Sequence, residues 1–196
     1  QLLQVHQVMM NGGVPVVAHA VAREGGKFWT IYFPLEGQPY FLVIFVEPDG
    51  SELIADFANT EAAVYAYFIV NSDTLTPEEI TERLGILPTS SHRKGELRPN
   101  SKKSTYPRHV WKKEALHGVP LDVEEKLDAL LQQLEPAQHQ IAQLATESEC
   151  WIQINYWGYH EMMSGWLLEP ALLRRLSALN VALGYYMYAV GPDLPV

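Results

Sequence analysis

Cysteine is nearly absent: the 196 residues contain one, Cys150. A single thiol closes no internal disulfide and builds no cysteine zinc cluster. Cys150 opens an apolar run and reads as a small buried residue entering a strand. Long hydrophobic runs are missing too. The longest, Tyr40 to Val46, has strand length, far below the roughly 18 residues of a membrane-spanning helix. No membrane contact is expected, and the chain reads as cytoplasmic. Catalytic signatures are equally scarce. Gly25-Gly26-Lys27 lacks the spaced glycines and the following Ser or Thr of a phosphate-binding loop, and reads as a hairpin turn. His160-Glu161 begins like a zinc-protease helix, but Ser164 stands where the second histidine is required. Ser90, Ser91 and His92 are adjacent in the chain, whereas a nucleophile and its base must aim at each other; they read as a polar loop. No catalytic residue, metal or cofactor is expected.

Positive charge is also in short supply, with 14 Lys and Arg against 23 Asp and Glu, for a net −9. An acidic body repels phosphates, which argues against nucleic-acid or membrane binding by the molecule as a whole. The exception is local. Eight of the 14 cations lie between Arg93 and Lys113 with one acid, Glu96, a formal +7 that leaves −16 on the rest. Arg93, Lys94, Arg98, Lys102, Lys103, Arg108, Lys112 and Lys113 suit phosphates or the acidic side of a partner protein. Tyr106, His109 and Trp111 are interleaved, as stacking on bases requires. A solvated loop explains the same charges. Gly95 to Pro107 has little apolar content and is expected to be mobile, with Trp111 the buried anchor that returns the chain to a sheet.

The second candidate surface is the run from Trp151 to His160. Alternation places Trp151, Gln153, Asn155 and Trp157 on one strand face and Ile152, Ile154 and Tyr156 on the other. Two indoles beside two amides suit a flat ligand or a partner. Packing under a helix or beside another sheet accounts for them equally well.

Along the chain, Val14–Arg23, Phe28–Phe33, Tyr40–Val46 and Ser51–Phe57 read as strands. The turns between them include Glu47-Pro48-Asp49-Gly50, with Pro second and Gly fourth as a type I turn favours. That is an antiparallel meander. From Ala63 strands alternate with helices. Val64–Val70 is a strand. Thr76-Pro77-Glu78-Glu79 opens a helix with a capping box, and Gly85 closes it. Val110-Trp111 is a short strand. Asp122 with Glu125 starts a helix whose Val123, Leu127, Leu130, Leu131 and Leu134 form one stripe. Glu135-Pro136 interrupts that helix. Cys150–Tyr159, Pro170–Leu179 and Val181–Val190 read as strand, helix and strand. The fold class is α+β: a mainly antiparallel sheet with helices packed on one face, its β-α-β-α-β-α-β core preceded by an N-terminal β-meander. The organisation expected is a meander subdomain over 1–62 and an α+β domain over 63–196, the latter with a four-stranded sheet.

The second part resembles the mainly bacterial family called domain of unknown function 4279. The resemblance rests on Tyr67-Phe68-Ile69-Val70, Leu75-Thr76-Pro77-Glu78-Glu79-Ile80, Leu84-Gly85-Ile86-Leu87-Pro88-Thr89 and Ser91-His92-Arg93-Lys94-Gly95-Glu96. Trp111, Asp122 to Leu134, and Leu172 to Leu176 with the following strand continue it to about residue 190. The first sixty residues lie outside it. Members resemble proteins encoded near toxin systems, which implies an immunity role by association. The reading is a non-enzymatic protein-binding module, an immunity-type protein that neutralises a toxin through the basic loop and the aromatic strand face. The alternatives are a nucleotide- or nucleic-acid-associated protein using the same loop, and an enzyme without a recognisable motif. Oligomeric state is not legible.

Overall fold

The computed structural model describes residues 1–49, 52–99 and 101–195. A short helix α1 (Leu2–Val5) leads into a small hairpin, β1 (Met10–Asn11) and β2 (Val14–Pro15). Gly12 and Gly13 both take positive φ at its turn, a conformation glycine adopts without steric cost. The meander follows as β3 (His19–Arg23), β4 (Phe28–Pro34), β5 (Phe41–Asp49) and β6 (Glu52–Glu61), antiparallel in that order.

Three details differ from the sequence reading. Val14–Arg23 is two strands because the chain changes partner: Val14–Pro15 pairs with β1 and His19–Arg23 with β4. The Glu47-Pro48-Asp49 segment is strand rather than turn, pairing with Ile54, Leu53 and Glu52. Pro48 is tolerated because it lies beyond the end of β4, where only β6 flanks it. Gly50 of the expected turn lies outside the described residues. Finally, β6 runs on to Glu61, with Asn59 and Thr60 paired to Val43 and Leu42; their polarity hides this strand half from an apolar pattern.

Strand β7 (Ala63–Ser72) begins one buried residue later, after Ala62. It is the centre of a five-stranded sheet ordered β11-β10-β7-β9-β8, with β8 (Ser90–His92), β9 (His109–Glu114), β10 (Glu149–Tyr159) and β11 (Ala182–Val190). The sheet is therefore one strand larger than expected, because Ser90 to His92 pairs with β9 instead of forming a loop. All pairs are antiparallel except β10 with β11. A parallel neighbour needs a crossover, and the helix α5 (Pro170–Ala178) lies within it.

Helix α2 (Pro77–Leu84) starts at a complete capping box: the Thr76 hydroxyl accepts from Glu79 N, and the Glu79 carboxylate accepts from Thr76 N. Gly85 ends it in the left-handed conformation at φ 66°. Helix α3 (Val123–Leu134) has the same device in Asp122 and Glu125. A 3-10 turn at Glu135–Ala137 then leads into α4 (Gln138–Leu144). The α3 stripe is fully buried, together with Ile80, Leu84, Ile141, Leu144, Leu172 and Leu176, against Ala66, Phe68, Val70, Ile152 and Ile154 of the sheet. All these helices cover one sheet face, as the pattern demanded.

A smaller cluster joins the meander to the end of β10. Leu35, Tyr40 and Leu42 pack with Tyr159, whose ring stacks on Tyr40 at 5.4 Å between centroids. His6 Nε2 lies 2.7 Å from the Tyr40 hydroxyl. Arg23 adds an ion pair to Glu125 at 2.9 Å. No described helix is long and apolar enough to cross a membrane.

Candidate binding face and basic hairpin

The segment expected to be a mobile loop is a folded extension of the β8–β9 hairpin. Leu97 and Thr105 form an isolated bridge. Gly95 N donates to Tyr106 O, Tyr106 N to Glu96 O and Arg98 N to Ser104 O, all at 2.8–2.9 Å. Polar side chains serve the backbone in place of a core. The Glu96 carboxylate accepts from Arg93 N at 2.8 Å, and the Ser101 hydroxyl accepts from Ser104 N at 2.8 Å. That backbone bond, followed by His92, holds the Glu96 carboxyl below its ordinary range. Asn100, within the tip, lies outside the described residues.

The ten basic-loop candidates do not share one surface. Three cations are already matched to acids distant in sequence. Arg93 pairs with Glu78 at 3.0 Å, Lys94 with Asp73 at 3.2 Å, and Arg108 with Asp73 at 3.3 Å and Glu149 at 2.6 Å. His109 Nδ1 accepts from Lys94 N. Strand alternation then divides the rest. Trp111 is 0% exposed and belongs to the helix-side core, donating from Nε1 to the Thr81 hydroxyl at 3.0 Å. Lys113, two residues on, shares that side, whereas Lys112 points to the opposite face. There its ammonium sits 3.9 Å from the centre of the Tyr67 ring, a cation–π contact. Arg98 lies over Tyr106, which stacks on His92 at 4.1 Å. Lys102 and Lys103 stand exposed near the tip.

The strand-face candidates come together as the alternation predicts. Trp151 Nε1 donates to Gln153 Oε1 at 3.2 Å, and Gln153 Nε2 donates to Asn155 Oδ1 at 2.8 Å, an amide ladder along β10. Trp157 stacks on Tyr188 at 3.9 Å. Register extends this face across the sheet. Gln153 and Asn155 sit opposite Tyr67 and Tyr65 of β7, and Asn155 opposite Tyr186 of β11. Among the described residues, no helix packs on this side. Sequence reading missed Tyr65, Tyr67, Tyr186 and Tyr188. The available signal was tyrosine at i and i+2 in two strands already recognised, which places each pair on one face.

At the β9 end, Glu114 is buried on this same face, opposite Tyr67. Its Oε2 lies 2.9 Å from His117 Nδ1, while Oε1 has no partner among the described residues. Burial first, and the Glu114 charge second, push the Tyr65 and Tyr67 hydroxyls above their ordinary pKa. These phenols therefore stay protonated at neutral pH. Elsewhere, His160 Nε2 lies 3.4 Å from Glu161 and 3.2 Å from Asp193, a grouping that needs the C-terminal segment and is invisible to a local motif. It is solvent-exposed, with the Asp193 side chain 94% accessible. Cys150 packs against the helix-side core, and burial pushes its thiol up to about 12.

No curated protein and no solved structure matches the chain. The family model described as Domain of unknown function (DUF4279) matches residues 62–190, beginning where β6 gives way to β7, and has no counterpart for the meander. The matched part covers more than half of the chain, including the whole five-stranded sheet with its covered and uncovered faces, and the protein belongs to the DUF4279 family.

Proposed function

We propose that the chain is a non-enzymatic protein-binding module of the bacterial cytoplasm, of immunity type, whose working surface is the helix-free face of the five-stranded sheet. The observation that carries this reading is the partly exposed set of Tyr65, Tyr67, Trp151, Trp157 and Tyr188 around the Gln153–Asn155 ladder. Aromatic anchors held on rigid strands lose little conformational entropy on binding, and they dominate interface energetics. Lys112 and the hairpin-tip cations Arg98, Lys102 and Lys103 give one margin a positive field, which speeds encounter with an acidic partner. The partner envisaged is a toxin, in line with the family's association.

The test begins with affinity capture from the native host and mass spectrometry, then kinetics on the partner found. Tyr67→Ala and Trp157→Ala should each weaken binding by roughly tenfold or more, mostly through the off-rate. Replacing Arg98, Lys102, Lys103 and Lys112 together should slow the on-rate at low salt, with the defect shrinking as salt rises. A partner that binds both aromatic variants with unaltered affinity removes the face from consideration.

A second reading is favoured by one observation. Two cation–aromatic stacks, Lys112 on Tyr67 and Arg98 on Tyr106, lie on the edge half of the sheet, an arrangement that takes single-stranded bases. Anisotropy with a labelled single-stranded oligonucleotide distinguishes it. Salt-sensitive binding abolished by Tyr67→Ala selects this reading over the protein partner.

A further inference from the structure

A sheet edge presents unpaired N–H and C=O groups, and folded proteins blunt it with short strands, charge, proline or bulges. The edges of the two large sheets are β8, β3, β6 and β11. Three carry such protection. Strand β8 has three residues and runs directly into Arg93 and Lys94. Strand β3 has five and ends at Arg23, which is paired to Glu125. Strand β6 is long but carries Glu52, Asp56 and Glu61, and its register slips where β5 passes Phe45.

Strand β11 has none of these devices. Its nine residues, Ala182 to Val190, contain no charge and no proline, and they pair with β10 in unbroken register from Ala182 to Val190. Apolar side chains emerge from both sides of this edge. Leu183 and Met187 are 46% and 49% exposed on the helix side, and Tyr186 is 53% exposed on the other. We propose that the β11 edge is where this chain pairs with a second copy of itself.

Two properties select a copy as the occupant. The molecule carries −9, so two copies repel one another over most of their surface, and β11 is a long stretch where they meet without charge. Antiparallel pairing of a strand with its own copy about a two-fold axis is also self-complementary. Each edge then satisfies the other's backbone groups. Leu183, Tyr185 and Met187 meet their counterparts on the helix side, and Tyr186 and Tyr188 theirs on the open side. The two five-stranded sheets become one continuous sheet with all helices on a common face, and the open aromatic face doubles in width.

The test is the mass of the full chain in solution, by light scattering or sedimentation from low micromolar to hundreds of micromolar. The expected species at the upper end has twice the 22.2 kDa of one chain. Leu183→Lys and Met187→Lys alter helix-side positions that are already exposed, leaving the candidate binding face intact. Each should raise the dimer dissociation constant by roughly tenfold or more, because like charges then sit across neighbouring strands. Leu53→Lys, on the protected β6 edge, should not. Hydrogen exchange on the unaltered protein reads the same point without substitution: β11 amides should gain protection as concentration rises. A wild-type chain of 22.2 kDa throughout, a dimer that survives both lysines, or β11 protection that appears only on adding another protein overturns the proposal.

Discussion

Replacing Trp111 separates a core residue from a binding residue. Its side chain is 0% exposed, packs edge-to-face on Phe68 at 6.0 Å, and donates to the Thr81 hydroxyl at 3.0 Å. Thr81 in turn donates to Pro77 O at 2.8 Å, so one chain of bonds ties β9 to the first turn of α2. Trp111→Ala empties the largest fully buried side chain of the core, and such truncations cost about 3–5 kcal/mol. For a chain of this length that lowers the melting temperature by roughly 6–20 °C. Trp111→Phe keeps much of the apolar contact but removes the indole donor to the Thr81 hydroxyl, at about 1 kcal/mol for the hydrogen bond beyond the lost ring volume. The decisive measurement is a double-mutant cycle in urea with Trp111→Phe and Thr81→Val. Residues in direct contact should couple by about 0.5–1.5 kcal/mol. Additive losses in the cycle, or a Trp111→Ala cost below about 1 kcal/mol, contradict the anchoring role. A partner that loses affinity for correctly folded Trp111→Phe would contradict it from the other side.

Other outcomes follow from the same geometry. Burial raises the carboxyl pKa of Glu61, with Asp122 adding like-charge repulsion. A carboxyl whose folded pKa is raised contributes stability at low pH that is lost as pH climbs through the folded value. Glu61→Gln should therefore gain on the wild type progressively as pH rises above 4.5, measured by urea unfolding; a difference independent of pH counts against it. Asp122→Ala removes the acceptor of the Glu125 amide and should cost about 1 kcal/mol, while Asp122→Asn should retain most of the cap. Cys150 should resist iodoacetamide at mildly alkaline pH in the folded protein and react fully in urea, since burial pushes its thiol up to about 12. Lys102→Ala with Lys103→Ala should change folding stability by no more than about 0.5 kcal/mol, read from the same urea curves.

What was legible in the chain was whatever local chemistry decides. Thr76 with Glu79 and Asp122 with Glu125 mark both helix starts because a cap is complete within four residues. The α3 stripe and the β10 alternation are equally local, since one element's period exposes its buried face. The misreadings share a different cause. Ser90 to His92 is polar and three residues long, so only its partner β9 makes it a strand. Asn59 and Thr60 are strand residues because β5 lies beside them. Pairing across the chain decided these, and no window of neighbouring residues contains it.

The basic segment shows the same limit acting on function. In sequence it is a +7 block with one acid. In space, three of its cations face Asp73, Glu78 and Glu149, which come from the end of β7, the start of α2 and the start of β10. Each exposed pair is worth little to stability, but the neighbouring carboxylate offsets the positive charge that an approaching anion would meet at that point. Trp111 leaves the set by entering the core, and Lys112 and Lys113 leave one another by strand alternation. What survives is a short positive margin of Arg98, Lys102, Lys103 and Lys112 beside an aromatic sheet face. A field that small steers an encounter and does not hold a complex, whereas several aromatic side chains on rigid strands can hold one. Under the proposed reading, affinity for a partner should accordingly depend on the tyrosines and tryptophans of β7, β10 and β11 more than on the lysines of the hairpin.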